Sequence, residues 1–403
     1  MNLNDGQTAA FLDIQQWLDG TGPYYFLSGQ AGTGKTALAY FIKRWAEEER
    51  GMWVHVTATT NKAAAVLTAT LPMGEEAGTI YSLLGLKVVN NFATGGQSLQ
   101  RTNSSSPPEF GSLVMVDEAS MVDPELMDYL NDAVRDLNLR VLFIGDAFQL
   151  PPVNAGTMPV TSEHIPVSYL TEIMRAEKRL DLEQAYVSGR QMVIDDEGTY
   201  IPTASANITV VPYEGSREYL AKLLAHDSHT KVLAFTNRAV EGANSVCREL
   251  LGLPKDPQVG DTLVAEDVVI VNTNRIAYIG EEIVVAEVED TTFDFDGRPI
   301  EAQNIICTNG KKFLRAKNPE IRQACLKELA NRKNWRAYYA MKEVVADLRF
   351  THASTVHKSQ GSTYPNVLVM VPNIMTCPGH STRRRLLYVA YTRASQHLHI
   401  MTQ

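Results

Sequence analysis

The residues best suited to chemistry lie in a glycine-rich segment near the amino terminus. Residues 29–36 read GQAGTGKT, which fits the phosphate-binding pattern G-x-x-x-x-G-K-T. Glycines let the backbone wrap closely around an anion and turn its N–H groups inwards. Lys35 is expected to reach the β- and γ-phosphates of a nucleotide, and Thr36 to ligate Mg²⁺. The predicted nucleotide site consists of Gly29, Gln30, Ala31, Gly32, Thr33, Gly34, Lys35 and Thr36.

Two adjacent carboxylates follow an apolar run further along the chain. Residues 113–120 read LVMVDEAS, so Asp117 and Glu118 come directly after a predicted strand. Asp117 is expected to hold Mg²⁺ through water or through Thr36. Glu118 is expected to orient and deprotonate an attacking water. A base that activates water favours hydrolysis over phosphoryl transfer to a second substrate.

A third polar segment, IGDAFQLPPV at residues 144–153, also follows an apolar run. Its Gln149 can hydrogen-bond a γ-phosphate and thereby report whether that group is present. The alternative interpretation of this segment alone is a tight turn with exposed polar side chains. Together the three segments predict a site that binds and hydrolyses a nucleoside triphosphate.

Short apolar strands and amphipathic helices must position these side chains. In the first 165 residues, strands are predicted at 24–27, 53–57, 113–116 and 140–144, with a helix over 124–137. This alternation indicates an α/β domain with a parallel sheet. The pattern is interrupted at about 86–111, where two strand-like arms flank a Thr-Gly-Gly turn and predict an inserted β-hairpin.

A second α/β pattern begins near residue 165 and is itself interrupted. Its predicted elements are strands at 231–235, 367–371 and 397–401 and helices at 238–251 and 383–392. The intervening residues contain several short β segments and then a basic helical stretch, which predicts an inserted small barrel with a helical part. The expected boundaries are 1–165 for the first domain, 166–256 with 350–403 for the second, and 257–349 for the insert.

Composition narrows the class of protein. The 403 residues carry a formal net charge of −9, which argues against coating nucleic acid by bulk charge but is compatible with a local basic channel. The four cysteines form no C-x-x-C pair, so no zinc site or disulfide framework is indicated. The first residues do not resemble a signal peptide, and no apolar run approaches membrane-spanning length. A cytoplasmic protein without membrane contact is therefore expected.

Ten segments, in this order, resemble the motifs of superfamily 1 helicases. They are LNDGQ, GQAGTGKT, TATTNKAAA, TIYSLLG, VDEAS, GDAFQLPPV, LTEIMR, AFTNRAV, STVHKSQGSTY and LLYVAYTRA. The resemblance is strongest to the 5′-to-3′, RecD/Dda-like branch, and within it to the small Dda-type helicases of T-even phages. Two positions depart from the pattern, because Tyr81 stands where histidine is common and Asn61 where glycine or histidine is common.

The resemblance implies two RecA-like domains, with the β-hairpin inserted in the first and an SH3-like barrel and helical segment in the second. It implies ATP and Mg²⁺ as ligands, adenine recognition by Gln7, arginine fingers at Arg175 and Arg393, and an approach of Gly361 to the nucleotide. The DNA contacts that it implies are Thr57, Thr59, Lys62, Thr79, Ser82, Thr355 and His357.

The resemblance implies an ATP-dependent 5′-to-3′ DNA helicase that moves along single-stranded DNA and separates duplex DNA. A single-stranded-DNA-stimulated ATPase that remodels protein–DNA complexes is the alternative. A P-loop kinase is a third interpretation, against which Glu118 and the two arginines count. The expected partners are single-stranded and forked DNA and a single-strand-binding or replisome protein. A monomer is expected, in the host cytoplasm if the chain is phage-encoded.

The hairpin bears on the choice between unwinding and remodelling. Phe92 lies near its tip, beside a glycine-rich turn where little is available for it to pack against. An aromatic ring there could stack on the last base pair while one strand is pulled past. The alternative is that Phe92 folds back onto its own domain.

Overall fold

Two parallel β-sheets with flanking helices form the frame of the molecule. The computed structural model describes residues 3–102, 107–152, 156–174, 179–271 and 274–403. The α/β fold class expected from the sequence is confirmed. No helix in these ranges is both long enough and apolar enough to cross a bilayer.

The first α/β region extends from α1 to β8. Its helices are α1 (Asp5–Asp19), α2 (Lys35–Arg50), α3 (Asn61–Thr70), α4 (Ile80–Leu83) and α5 (Pro124–Leu137). Its strands are β1 (Tyr24–Gly29), β2 (Val54–Ala58), β3 (Gly78–Thr79), β4 (Leu86–Asn90), β5 (Gln97–Arg101), β6 (Leu113–Asp117), β7 (Arg140–Gly145) and β8 (Val167–Leu170). All except β4 and β5 form one parallel sheet in the order β3-β2-β6-β7-β1-β8.

The central strands of this sheet are apolar and buried almost throughout, as a parallel sheet covered by helices on both faces requires. Parallel strands end at the same edge, where α/β proteins bind ligands. The phosphate-binding loop after β1, the carboxylates after β6 and the polar segment after β7 are therefore brought together.

The expected boundary after residue 165 is wrong. Strand β8 pairs with β1, with Phe26 opposite Val167 and Gly29 opposite Leu170, so it belongs to the first sheet. Strand β1 needs a second neighbour, and the apolar residues of β8 supply it. The sequence identifies such a strand but not the sheet edge on which it pairs.

The second α/β region begins at α6 (Leu180–Asp195). It continues with β9 (Ile208–Pro212), α7 (Ser216–His226), β10 (Lys231–Ala234) and α8 (Asn237–Leu250). The insert follows. It contains β11 (Thr262–Ala265), β12 (Val269–Val271), β13 (Asn274–Ala277), β14 (Glu282–Phe295), β15 (Arg298–Cys307), β16 (Lys312–Ala316), α9 (Pro319–Asn331), α10 (Trp335–Val344) and β17 (Leu348–Phe350).

The chain then returns to the second parallel sheet. Its last elements are β18 (Ala353–Thr355), β19 (Tyr364–Met370), α11 (Val371–Ile374), α12 (His380–Tyr391) and β20 (Ala394–Thr402). The sheet order is β18-β10-β19-β20-β9. The insert forms a separate antiparallel sheet, β16-β15-β14-β11-β17. Near the turn of the long β14–β15 hairpin, Phe295 is buried with Cys325 and Leu329 of α9.

Strands β4 and β5 form the antiparallel hairpin expected from the sequence. Leu86 and Leu99 are buried in the core of the first region, so the base of the hairpin is fixed there. Its tip is tightened by backbone hydrogen bonds between Asn91 and Gly96 and between Gly95 and Asn91, both 2.8 Å long.

Candidate nucleotide and DNA sites

The phosphate-binding loop has the geometry that its glycines predict. Gly32 and Gly34 have φ angles of 85° and 77°, in the left-handed region that favours glycine. Lys35 begins α2, and its Nζ donates to the carbonyl oxygens of Gly29 at 2.6 Å and Gln30 at 3.0 Å. Both of these acceptors are neutral carbonyls of the loop, which the ammonium can exchange for phosphate oxygens. This arrangement fits a nucleotide phosphate chain at the N-terminus of α2.

Gln7 lies beside this loop. It is buried, and its Nε2 donates to the carbonyl oxygen of Thr33 at 3.3 Å. Its Oε1 accepts from the backbone N–H of Asn4 at 3.2 Å, while Asn4 in turn caps α1. The amide predicted to read adenine is thus held between the start of α1 and the phosphate-binding loop.

Two partly buried carboxylates, Asp117 and Glu118, lie next to Lys35. Asp117 Oδ1 accepts from the backbone N–H of Glu118 at 2.8 Å, and Glu118 has the left-handed φ of 50°. Burial raises the pKa of Asp117. Burial, followed by the charge of Asp117, raises the pKa of Glu118 to about 7. Buried carboxylates are normally paired or bound to a metal, and Thr36 and Asp117 line the same small cavity. These residues fit a Mg²⁺ ion held together with the nucleotide phosphates.

The second region supplies the opposite wall of this site. Gly361 has a φ of 70°, and a Cβ there would lie 3.2 Å from Glu118 Oε1. Gln360 Nε2 donates to Gln149 Oε1 at 3.5 Å. The guanidinium of Arg393 lies close enough to Glu118 for its positive charge to lower the pKa of that carboxylate, against the larger effect of burial. Residues of the two sheets therefore face each other across one cleft.

Arg393 is held by its own domain. It is 3% exposed, and it donates to Ser362 O at 3.0 Å, Val389 O at 3.0 Å and Thr392 Oγ1 at 2.9 Å. To act as an arginine finger it must exchange some of these bonds for a phosphate. Arg175, the other predicted finger, lies outside the described residues.

A larger cavity of about 470 Å³ lies between both sheets and the insert. Three of the predicted DNA contacts, Lys62, Thr355 and His357, line it. Burial lowers the pKa of His357, which favours its neutral form. Thr79 and Ser82 lie elsewhere, at the start of α4, where Thr79 Oγ1 accepts from the Ser82 N–H at 3.1 Å.

Thr57 and Thr59, two further predicted DNA contacts, are buried and turn their hydroxyls into the first domain. Thr57 is 2% exposed, and its hydroxyl donates to Met115 O at 2.8 Å within the sheet. The buried Thr59 donates to Glu118 O at 3.1 Å and so supports the carboxylate segment. Both hydroxyls are used inside the first domain. The sequence could not show this, because the motif fixes their order in the chain but not their hydrogen bonds.

Several charged residues that line this cavity lie outside the predicted site residues. Lys231 lies there under Tyr364, and its Nζ donates to Thr351 O. Burial lowers the pKa of Lys231 to about 8. Lys358 also lines the cavity and pairs with Glu266 of the insert. The cavity thus has cations that could meet DNA phosphates, partly balanced by carboxylates.

The tip of the β4–β5 hairpin docks on α10 of the insert. Tyr339 Oη donates to Gly95 O at 2.7 Å and Gly96 O at 3.3 Å. Phe92 stays 51% exposed, and its ring centroid lies 6.1 Å from that of Tyr339. Gly95 is so close to the Trp335 ring that a Cβ would not fit. The tip therefore does have a packing partner, and Phe92 leans on the insert rather than folding back onto its own domain.

Comparison with known proteins agrees with these features. Residues 2–196 match the AAA domain family, and residues 350–401 match the UvrD-like helicase C-terminal domain. The chain is 25% identical over 321 residues to the ATP-dependent DNA helicase dda of Enterobacteria phage T4, a match that covers 77% of this chain and 66% of that protein. It is 27% identical over 385 residues to the ATP-dependent RecD2 DNA helicase of Deinococcus radiodurans, covering 91% of this chain and 45% of that protein.

The fold is similar to that of the Pif1 helicase from Candida albicans. The TM-score is 0.53 at 18% identity, covering 100% of this chain and 95% of that one. The two matched domain families cover both walls of the nucleotide site, because residues 2–196 contain the phosphate-binding loop and residues 350–401 contain Arg393. The predicted resemblance to superfamily 1 DNA helicases of the RecD/Dda-like branch is confirmed by the similarity of the chain to dda and RecD2.

Proposed function

We propose that this protein is an ATP-dependent 5′-to-3′ DNA helicase that moves along single-stranded DNA and separates duplex DNA in replication, recombination or repair. One observation carries the proposal: Gly361 and Arg393 of the second domain lie opposite Lys35 and Glu118 of the first. This cleft continues into the cavity between the two sheets and the insert, because Glu118 and Gly361 also line that cavity. A movement of the two domains that follows ATP hydrolysis would therefore also change the cavity that binds the DNA strand.

The hydrolytic roles follow from charge and position. Lys35 would hold the β- and γ-phosphates, and Gln7 would orient the base. Glu118 would take a proton from the attacking water, and its raised pKa of about 7 is favourable for a general base near neutral pH. Thr36 and Asp117 would hold Mg²⁺, which when bound would neutralise phosphate charge. Gln149 would contact the γ-phosphate.

The γ-phosphate would then control the width of the cleft. While it is present, Lys35 of the first domain and Arg393 of the second have a common anionic partner, and the two domains are drawn together. After hydrolysis that partner is lost and the cleft can open. If each domain holds the DNA backbone, alternating closure and opening moves the strand stepwise.

The proposed DNA track passes through the 470 Å³ cavity. Lys62 would contribute from the first domain, and Thr355 and His357 from the second. Thr79 and Ser82 would contact the strand where it leaves the cavity. Phe92 would meet the duplex at the exposed hairpin tip. The direction of movement rests on the resemblance to the RecD/Dda-like branch, since both directions use these motifs.

Two assays with one protein preparation test the proposal. ATP turnover should rise when single-stranded DNA is added, which a small-molecule kinase would not show. Strand displacement should occur on a duplex with a 5′ single-stranded tail and not on one with a 3′ tail. Stimulated turnover without displacement from either tail would favour the remodelling ATPase. Displacement from the 3′ tail alone would overturn the polarity.

A further inference from the structure

The loop after β7 is packed into the second domain although its strand belongs to the first sheet. Residues 146–150 form this loop and include Gln149, the proposed γ-phosphate contact. Leu150 is buried in a hydrophobic cluster whose other buried members come from the second domain, including Tyr186 of α6 and Leu386 of α12. Phe148 lies under the guanidinium of Arg190, 4.6 Å from the ring centroid. The loop also keeps contacts with the first domain, because Ala147 is buried in that domain's core and its backbone N–H donates to Ser28 Oγ at 3.2 Å. It is therefore held by both domains.

Two side chains of α12 bind the polar groups of this loop. Tyr388 Oη donates to Asp146 Oδ2 at 2.6 Å, and both residues are buried. Arg385 Nη1 donates to the carbonyl oxygens of Ala147 at 2.9 Å and Gln149 at 2.6 Å. A hydrogen bond to a buried carboxylate is stronger than one between neutral groups. Removing its donor also leaves part of a buried charge unsatisfied.

The same carboxylate orders the loop itself. Asp146 Oδ1 accepts from the backbone N–H of Phe148 at 3.0 Å, and Asp146 O accepts from the backbone N–H of Gln149 at 3.2 Å. On α12 itself, the Arg393 Nε donates to Val389 O at 3.0 Å, so Arg393 is attached to the helix that carries Tyr388. A continuous chain of hydrogen bonds and covalent structure thus joins Gln149 to Arg393 through Asp146, Tyr388 and α12.

We propose that Tyr388 is a positioning residue that couples the γ-phosphate-contacting loop to the second domain. Through its bond to Asp146, a displacement of Gln149 on gain or loss of the γ-phosphate carries α12 and Arg393 with it. This inference rests on the proposed helicase function. Tyr388 acts through Asp146, so losing its hydroxyl should impair the conversion of ATP turnover into strand movement more than ATP binding.

The test compares two tyrosine-to-phenylalanine variants on one helix. Tyr388→Phe removes the bond to Asp146 and keeps the ring. Tyr391→Phe is the matched control, because Tyr391 is equally buried and its Oη donates to Tyr200 O, at 2.9 Å, inside the second domain. The measurements are ATP turnover with single-stranded DNA, the rate of translocation, the KM for ATP and the thermal midpoint of unfolding.

Tyr388→Phe should reduce the number of nucleotides moved per ATP about five-fold, the change expected if one net hydrogen bond that favours the coupled arrangement is lost. The KM for ATP should stay within about two-fold, because the P-loop is intact. Tyr391→Phe should keep the parent ratio while losing a similar amount of thermal stability. Asp146→Asn should also lower the ratio, and adding Tyr388→Phe to it should have little further effect.

Two results would overturn the inference. One is the same ratio of movement to turnover in Tyr388→Phe and Tyr391→Phe. The other is a fully additive loss in the Asp146→Asn, Tyr388→Phe double variant. The parent protein keeps the two proposals distinguishable. Parent turnover that does not respond to DNA contradicts the helicase function, whereas responsive turnover with an unchanged Tyr388→Phe ratio contradicts this coupling alone.

Discussion

Replacing Tyr339 by phenylalanine should weaken the docking of the hairpin tip on α10. The substitution removes the hydroxyl that donates to Gly95 O at 2.7 Å and Gly96 O at 3.3 Å. It keeps the ring whose centroid lies 6.1 Å from that of Phe92. One well-formed hydrogen bond contributes about 1 kcal/mol net. The ratio of docked to undocked tip should therefore fall about five-fold.

The expected consequence is confined to duplex separation. If Phe92 must be held beside the duplex to stack on its last base pair, unwinding of a forked substrate should slow by up to about five-fold. ATP turnover and single-strand translocation should stay within about two-fold of the parent, because Tyr339 bonds to the hairpin tip and not to the phosphate-binding loop. Tyr338→Phe is the control, since Tyr338 packs on Trp335 and Tyr339 within the same helix.

Phe92→Ala completes this test. Base stacking on an aromatic side chain is worth about 1–3 kcal/mol, so its loss should slow unwinding more than Tyr339→Phe does. Parent-level unwinding in both variants would refute the reasoning and place the separating element elsewhere. Equal losses in unwinding, translocation and ATP turnover would show instead that the contact maintains the fold.

Four further variants test chemistry and stability. Glu118→Gln should bind ATP but lose turnover, and Lys35→Ala should lose turnover with the fold intact; parent-rate hydrolysis by Glu118→Gln would show that Glu118 is not the base. Arg393→Ala should cut DNA-stimulated turnover about 10³-fold while nucleotide-free binding of single-stranded DNA changes little, as measured by fluorescence anisotropy. Burial lowers the pKa of His399 to about 4, so as pH falls below about 6.5 the unfolded chain takes up this proton first, and the free energy of unfolding should drop by up to about 1.4 kcal/mol per pH unit. His399→Gln should flatten that slope between pH 7 and pH 5, and an unchanged slope would assign it to other groups.

Local patterns predicted the elements that carry the nucleotide site. The strand and helix around residues 29–36 follow from an apolar run, a glycine loop and helical periodicity, all within about twenty residues. The helix Pro124–Leu137 has the predicted bounds, because Asp123 caps it and proline occupies its first turn. Such patterns depend only on residues that are close in the sequence, so they can be recognised without knowledge of the tertiary fold.

Pairings between distant segments could not be predicted in this way. Tyr388 and Asp146 are 242 positions apart, and either could have been an ordinary core residue or turn residue. The basic helical stretch of the insert is a second example. Its Arg322 is buried and pairs with Asp267 at 2.8 Å, so that positive charge holds α9 to the insert's sheet. Charge counted along the sequence does not distinguish a cation that binds a partner from one that binds its own fold.

The two insertions connect the α/β domains at a second place, away from the nucleotide cleft. The hairpin is rooted in the first domain through Leu86 and Leu99, and α10 belongs to the insert of the second. A change in cleft width must therefore strain the contact between hairpin tip and α10, bend the hairpin, or bend the insert. The contact includes the Tyr339 bonds, the packing of Phe92 on Tyr339 and Arg336, the close approach of Gly95 to Trp335, and a hydrogen bond of 3.2 Å from Asn90 to Glu343. The β14–β15 ladder, by comparison, pairs Val285 to Phe295 with Arg298 to Cys307. The tip contact is made by a few side chains, whereas the β14–β15 ladder is a continuous set of backbone pairs, so the tip contact is where cleft movement would act first on the position of Phe92.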